Sequence, residues 1–309
     1  MRVQVSPPAQ MSKILVILGP TASGKSSLAV KLAKKYNGEV ISADSRQVYK
    51  GLDIGTGKIT SKEMSGIPHH MLDVANPKKT FTIAEWQKQT QKEISQILSK
   101  NKLPIICGGT GFYIQSIVDG LVLPEVPPNK KLRVGLERKN LNELQNVLKK
   151  LDKERFKNID IQNRVRLIRA IEIAKSLGSV PVLTKKESPY KILQIGLKIS
   201  DIELKNKIHK RAVLRIKKGM VREAQNLLKS GLSFKRMSEL GLEYRLLSEL
   251  LQNKMDRKKF LKNLETEIWR YAKRQIVWFK RDKRIKWFEP KDIGKINDMI
   301  SKFLLKVDK

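Results

Sequence analysis

The sequence predicts an α/β fold, and three observations carry the prediction. The apolar run Ile14-Leu-Val-Ile-Leu18 passes directly into Gly19-Pro-Thr-Ala-Ser-Gly24-Lys25-Ser26, the spacing G-x-x-x-x-G-K-S/T between a buried strand and a helix start. Two further short apolar runs end in residues suited to a ligand cleft: Glu39-Val-Ile-Ser-Ala-Asp44, and Leu103-Pro-Ile-Ile-Cys107 before the turn Gly108-Gly-Thr-Gly111. At Pro124, Pro127 and Pro128 the composition changes, and the stretch to about Lys186 is charged, helical and without a clear strand. These features predict a P-loop NTPase-like parallel-sheet core with an all-helical insertion domain and a helical C-terminal segment.

Residues 1–10 lack the apolar centre of a signal peptide, and Met11-Ser-Lys leads straight into the first strand. Residues 1–10 are therefore expected to be a disordered extension outside the fold. Residues 11–123 are expected to form the first part of the catalytic core. After the first strand and its loop, Leu28, Leu32 and Ala33 recur at helical spacing over Lys25 to Tyr36, and Asn37-Gly38 closes that helix. Glu39 to Asp44 is a second strand, and a loop-rich region runs from Tyr49 to Thr80. Its Pro68-His-His70 has no cysteine or carboxylate at ligand spacing, which favours a hydrogen-bonded structural role over a metal site. Ile83, Trp86, Ile94, Ile97 and Leu98 mark a helix over Thr82 to Lys100 lying on the sheet. Leu103 to Cys107 is a third buried strand. The glycine turn after it lets backbone approach a ligand closely, and a helix runs from Phe112 to Val118.

Residues 124–189 are expected to form the helical insertion domain. Its second helix carries Gln162 to Glu172, in which Arg166 and Arg169, three apart, share a face. Residues 190–309 are expected to complete the core and end in a basic helical segment. Ile192, Leu193, Ile195, Leu197 and Ile199 give a strand over Tyr190 to Ile199, and everything beyond residue 200 reads as helix. The last long helix, about Lys258 to Arg281, has the apolar stripe Phe260, Leu264, Ile268, Ala272, Ile276 and Phe279. Its other side carries Arg270, Lys273, Arg274, Lys280 and Arg281, interleaved with Tyr271 and Trp278. Basic residues mixed with aromatics suit a surface that tracks a nucleic-acid backbone while bases stack on it.

The 309 residues carry 64 basic against 30 acidic side chains, a net charge of +34, with a pI near 10.2. Such a surface attracts polyanions, nucleic acid first among them; solvated lysines are the competing explanation. Positions 190–309 alone hold +18 of the excess. Charge so far from the phosphate loop argues for a large second substrate. One cysteine, Cys107, excludes an internal disulfide and suits a reducing cytosol. Following Leu103-Pro-Ile-Ile106, it reads as a small buried hydrophobe rather than a nucleophile. No apolar run approaches the length of a membrane span.

The loop implies a ligand that bears a diphosphate. Gly19 and Gly24 let the backbone N–H groups of Gly19-Pro20-Thr21-Ala22-Ser23-Gly24 turn toward phosphate oxygens, Lys25 adds a point charge, and Ser26 can hold Mg²⁺. Asp44, at the carboxyl end of a parallel strand, should enter the cleft beside the loop, unless it only caps the next turn. Thr110, on the second glycine turn, supplies another wall. Three reaction classes fit. A kinase would move a phosphoryl group and an NTPase would activate water. In the third class diphosphate is the leaving group, and a carboxylate such as Asp44 takes a proton from the incoming nucleophile.

Seven motifs, in order, resemble the tRNA dimethylallyltransferases: Gly19 to Lys25, Ile41-Ser-Ala-Asp44-Ser-Arg-Gln-Val-Tyr49, Gly51-Leu-Asp-Ile-Gly-Thr56, Pro68-His-His-Met-Leu-Asp73, Gly108-Gly-Thr-Gly-Phe-Tyr113, Asn163 to Glu172, and Tyr271-Ala-Lys-Arg-Gln-Ile-Val-Trp-Phe279. They span Met11 to about Pro290. The resemblance implies transfer of a dimethylallyl group from dimethylallyl diphosphate to N6 of the adenosine 3′ to the anticodon, with Mg²⁺ and release of diphosphate. It implies that Gly19 to Ser26 hold diphosphate rather than ATP, that Asp44 is the general base at N6, and that Thr110 is the hydroxyl beside the reacting centre. Arg211, in Ile208-His-Lys-Arg211, is similar to the arginine on the leaving diphosphate. Ser45, Arg46 and Gln47 would lie against the flipped-out base. Arg133, Arg166 and Arg169 match tRNA-contacting positions, and the last helix, with Lys273 and Arg274, would line the anticodon-loop surface. The implied partners are the tRNA anticodon stem-loop and dimethylallyl diphosphate, with no membrane, for a cytosolic monomer. Glu243 stands where the family often has glycine, and the chain ends without the zinc-finger extension of eukaryotic relatives, as in a bacterial-type enzyme.

Two rival readings share the loop. An adenylate isopentenyltransferase would act on a free nucleotide, which the basic insertion and tail speak against. A phosphate-loop RNA-binding or switch protein would lack transfer chemistry altogether.

Overall fold

The computed structural model describes residues 11–306; the extension expected at residues 1–10 lies outside them. β1 (Ser12–Leu18) leads through the phosphate loop to α1 (Lys25–Lys35), β2 (Gly38–Ala43), the short α2 (Ser61–Met64), β3 (His69–His70), α3 (Ile83–Ser99), β4 (Leu103–Gly108) and α4 (Gly111–Val118). Four helices follow: α5 (Lys130–Glu137), α6 (Leu141–Leu151), α7 (Lys153–Lys157) and α8 (Arg164–Leu177). The chain continues with β5 (Tyr190–Leu197), α9 (Asp201–Lys217), α10 (Met220–Lys229), α11 (Phe234–Glu239), α12 (Leu242–Leu251), α13 (Arg257–Phe279), β6 (Lys286–Phe288) and α14 (Ile293–Leu305). The strands form one sheet of order β3-β2-β4-β1-β5-β6, with every pairing parallel. No helix among the described residues is long and apolar enough to cross a membrane.

β1 is central because both of its faces are apolar. Its alternation sends Ile14, Val16 and Leu18 into one cluster with Trp86, Ile114, Phe260 and Leu264. Leu15 and Ile17 point into another with Leu28, Leu32, Ile296 and Ile300. A strand covered on both sides reads as a continuous apolar run, since no side chain faces water. All five residues from Ile14 to Leu18 are fully buried. Flanked by β4 and β5, β1 delivers its carboxyl end to the middle of the sheet edge where ligands gather in such folds. Thr82 opens α3 with a capping box: its hydroxyl accepts from Glu85 N, while the Glu85 carboxylate accepts from Thr82 N.

The structure adds elements that the pattern does not foretell. β6 lies beyond residue 200, where only helix is expected; three residues are too few to show a period, and they pair along β5 as an edge strand. Within the expected loop region, α2 forms behind a Thr60–Glu63 capping box, and β3 adds two residues to the edge of β2. His70 of β3 contacts Glu39 at 2.7 Å and Glu93 at 2.8 Å. Both carboxylates are distant in sequence, so spacing could not reveal them. Hydrogen bonds from Lys102 and His70 outweigh burial at Glu39 and hold its carboxyl down at about 2.

The chain divides into two compact units, one built on the sheet and the other comprising Gly120–Lys186. The second unit has its own small core of Leu136, Leu144, Leu148, Leu167, Ile168 and Ile171. It holds four helices, and the segment expected in the second of them is α8, the last. Asn140 caps α6 in a reciprocal box with Glu143, and Asn163 caps α8 by accepting from Arg166 N.

Candidate active site

The phosphate loop owes its shape to three backbone angles. Gly19 sits at φ 143, Ala22 at φ 62 and Gly24 at φ 94, and alternation into the left-handed region turns successive N–H groups to one side. A Cβ on Gly19 would press within 2.8 Å of the Leu197 carbonyl, so only glycine fits between β1 and β5. Gly24 is also the N-cap of α1 and leaves the helix start free of any capping side chain, which points the positive end of the helix dipole into the loop. Lys25 Nζ donates to the Pro20 carbonyl at 2.6 Å. Burial, helped by the nearby Arg211 charge, lowers its ammonium to about 8 against the opposing influence of Cys107 and Asp44. Among the described residues the buried Ser23 hydroxyl has no partner, and Ser26 is exposed in the first turn of α1.

Asp44 and Thr110 meet because β2 and β4 are neighbours in register, Ala43 opposite Gly108. A side chain on Gly108 would collide with the Ala43 backbone, so the glycine turn folds directly against β2. Thr110 N donates to Ala43 O at 3.1 Å, and Ser45 N donates to Thr110 Oγ1 at 3.0 Å. The Asp44 Oδ1 atom accepts from Arg46 N at 2.8 Å and Gln47 N at 3.3 Å. Asp44 thus does both things the sequence allows: one oxygen caps the turn, and the residue, half-buried, faces the groups of the loop. Lys25, Arg211 and Tyr271 all feel its charge.

Arg211, on α9, belongs to the same cluster. Its guanidinium packs over Gly57, where any Cβ would come within 2.7 Å of it. Among the described residues it makes no hydrogen bond or ion pair. The residue as a whole is exposed, but protein packed around its guanidinium and the like charge of Arg215 pull it below the ordinary arginine range. A guanidinium unpaired among the described residues, beside a half-buried lysine, is a site prepared for an anion.

Of the residues expected to face nucleic acid, Ser45, Arg46 and Gln47 stand in the turn after β2, and Arg46 reaches the Glu239 carbonyl at 3.3 Å. On α13, Lys273 pairs with Asp201 at 3.0 Å and lies over the Trp269 ring at 5.2 Å, while Arg274 is exposed above the Tyr271 ring. The second unit separates its arginines. Arg166 is exposed, 3.6 Å from Asp160. Arg133 and Arg169 turn instead to Glu172, a carboxylate only 2 % exposed; Arg133 donates through Nε at 2.9 Å and Nη2 at 2.8 Å, and Arg169 through Nη1. Although burial pushes the Glu172 carboxyl up, these bonds and the Asn129 N–H hold it below its usual range. Sharing a face in sequence does not give Arg166 and Arg169 the same task.

Three residues of α12 and α13 complete the cleft. Gln275 accepts from Thr21 N at 2.8 Å and donates from Nε2 to Gly109 O at 2.8 Å, so one buried amide ties the phosphate loop to the second glycine turn. The available signal was a polar residue at helical spacing among Ile268, Ala272 and Phe279. Burial raises the Tyr271 phenol far above the ordinary range, and Asp44 and Glu243 push it the same way. Glu243, the departure noted above, sits in the cleft as a carboxylate raised by burial, 3.4 Å from Arg215. Cys107 is buried and its thiol is pushed up to about 11 by that burial.

The profile of the IPP transferase family matches residues 47–282. The tRNA dimethylallyltransferase of Halothermothrix orenii is 39% identical over 286 residues, covering 90% of this chain and 87% of that protein. The tRNA dimethylallyltransferase 2 of Treponema denticola is 41% identical over 272 residues, covering 86% and 91%. Among solved structures, the tRNA isopentenylpyrophosphate transferase of Bacillus halodurans superposes with a TM-score of 0.72 at 32% identity, over 94% of this chain and 96% of that one.

Proposed function

The chain belongs to the IPP transferase family, and from that premise we propose that it transfers a dimethylallyl group from dimethylallyl diphosphate to the exocyclic N6 of an adenosine in tRNA, the one 3′ to the anticodon. One observation carries the reading: a carboxylate, a phosphate loop and an unpaired arginine share a single cleft, with Lys25 under the influence of both Asp44 and Arg211. Gly19 to Ser26 and Lys25 hold the diphosphate, and Arg211 closes on its outer oxygens. The bond from the allylic carbon to the diphosphate oxygen breaks as the bond to N6 forms. Asp44 takes the N6 proton at Oδ2, because Oδ1 is committed to the turn. Cationic donors placed where charge develops on the leaving group lower the barrier. Thr110, bonded to Ser45 N, borders the reacting atoms.

A stacked adenine cannot reach this cleft, so the base must leave the stack, at low cost in a loop already partly unpaired. Ser45, Arg46 and Gln47 receive it, and Lys273 and Arg274 meet the phosphates around it; Arg166, in the second unit, supplies a further tRNA contact. Arg133 and Arg169 would present the charge that remains after their bonds to Glu172. Mg²⁺ fits the donors present: among the described residues no three His, Cys, Asp or Glu side chains form a cluster, but a magnesium carried largely by diphosphate oxygens and water needs only the Ser26 hydroxyl. Bound there, it would neutralise charge on the departing diphosphate. A cytosolic monomer is part of the proposal; for the compartment, the single buried Cys107 suits reducing conditions.

The test is to incubate the protein with Mg²⁺, dimethylallyl diphosphate and either unmodified tRNA or AMP, then digest and weigh the nucleosides. The expected outcome is one C5 unit gained on adenosine from tRNA only. Gain on AMP alone, or none on either, would overturn it. Asp44→Ala should abolish turnover while tRNA binding persists.

A further inference from the structure

Glu223, on α10, takes no part in the chemistry described above, yet it accepts an unusual number of hydrogen bonds. Its Oε2 receives the backbone N–H groups of Asp53 at 3.0 Å and Ile54 at 2.7 Å, and its Oε1 receives Gly55 N at 2.8 Å and the Tyr244 hydroxyl at 2.7 Å. Three successive N–H groups converging on one carboxylate form an anion-holding concavity, filled here by a side chain of the same protein. Gly55 lies so close to the Tyr244 ring that any Cβ there would strike it, and Tyr244 is fully buried. The loop of residues 51–58 is therefore fastened to the α10 and α12 side of the core at its middle.

The same loop is the floor beneath the diphosphate arginine. Ile54, whose N–H goes to Glu223, offers its carbonyl to Arg215 Nε at 2.7 Å. Gly57, held in the left-handed region at φ 62, is the residue on which the Arg211 guanidinium rests. Arg211 has no hydrogen bond or ion pair of its own among the described residues, and the like charge of Arg215 stands beside it. Its position accordingly depends on packing against a loop that Glu223 holds. Free to swing, an arginine side chain would have to lose its rotamer freedom on each binding event, which weakens affinity for the ligand.

We propose, resting on the prenyl-transfer reading above, that Glu223 is a positioning residue: by seating the N–H groups of Asp53, Ile54 and Gly55 it fixes the loop under Arg211 and so sets the affinity for the diphosphate end of the substrate. It acts through Arg211 and touches neither substrate. In Glu223→Gln one half of the acceptor becomes an NH₂ donor that faces a backbone N–H, so the seat is lost while size is kept. Glu223→Asp keeps the charge but draws it back by one methylene.

The experiment uses the full chain. Wild-type turnover on tRNA is measured first, since its absence would sink the prenyl-transfer reading itself, whatever Glu223 does. Calorimetry with inorganic diphosphate and Mg²⁺ then needs no turnover. Glu223→Gln is expected to raise both the KM for dimethylallyl diphosphate and the Kd for inorganic diphosphate by about tenfold, leaving the KM for tRNA within about twofold. In an Arg211→Ala background the same substitution should add almost nothing, because residues acting through one another are not additive. A purely structural role would lower the active fraction, leave both KM values in place and stay additive with Arg211→Ala; either result would overturn the proposal. If Glu223→Gln does not fold, Glu223→Asp carries the same comparison, with a smaller rise expected in diphosphate KM and an unchanged value counting against the role.

Discussion

Lys25 shows how one environment can move affinity and stability in opposite directions. Its ammonium titrates near 8 in the folded chain against an ordinary 10.5. Between those values the unfolded chain holds a proton that the native one has released, so native stability rises with pH across that window. The diphosphate needs the charged form, so affinity is full below about 8 and falls as pH climbs through it. Calorimetric Kd values for Mg²⁺ and inorganic diphosphate at pH 7, 8 and 9 test this, with Lys25→Met as the baseline that cancels titration of the ligand. The wild type should lose affinity relative to Lys25→Met as pH rises, and parallel slopes would refute the assignment. The loop around Lys25 was legible in the sequence because its determinants are contiguous. Glycines, lysine and serine fall at fixed offsets after an apolar strand, and the backbone angles follow from them.

At the scale of elements, legibility fades with the distance between partners. α13 was readable as an amphipathic helix from its stripe. The reason a glutamine is buried beside that stripe was not, since Gln275 bonds to residues 254 and 166 positions away. The edge strands β3 and β6 escaped because two or three residues cannot display alternation. Asp44 and Thr110 could be placed at strand ends, but their meeting depends on β2 pairing with β4, which only the sheet order reveals. Gln275→Leu keeps the volume and strands Thr21 N and Gly109 O, a loss of about 1–3 kcal/mol for each buried group left unpaired. Thermal melts should show the drop, and kcat should fall with it because the two walls of the cleft lose their tie. Undiminished stability would mean that water replaces the amide. In the second unit Glu172 plays the corresponding part for α5 and α8. Its folded carboxyl is held below the usual 4.5, so its contribution is present above that value and is lost as pH falls through the lower, native one. Glu172→Ala should speed hydrogen exchange in α5 to α8 selectively and leave β1 and β4 protected; uniform exchange across the chain would contradict the unit's independence.

For the whole molecule, the net charge of +34 exceeds anything a diphosphate requires, and its consequence is a salt-dependent grip on tRNA. Each phosphate neutralised contributes roughly 0.7–0.9 to the slope of log K against log salt. The structure sorts the arginines that sequence alone grouped together. Arg166 is exposed and, among the described residues, its side chain has only a long contact to Asp160, whereas Arg169 spends its donors on Glu172 and the Val126 carbonyl. Arg166→Ala should therefore reduce the slope by about one phosphate's worth and leave the melting temperature unchanged. Arg169→Ala should lower the melting temperature as well, because it leaves a buried carboxylate short of a partner. Neither change should alter the KM for dimethylallyl diphosphate, whose proposed contacts lie in the sheet-based unit. Filter binding of tRNA over a range of salt, paired with melts of both variants, separates the two arginines. Equal slopes with equal melts would mean that Glu172 imposes no division of labour, and that the charge acts only as a diffuse field.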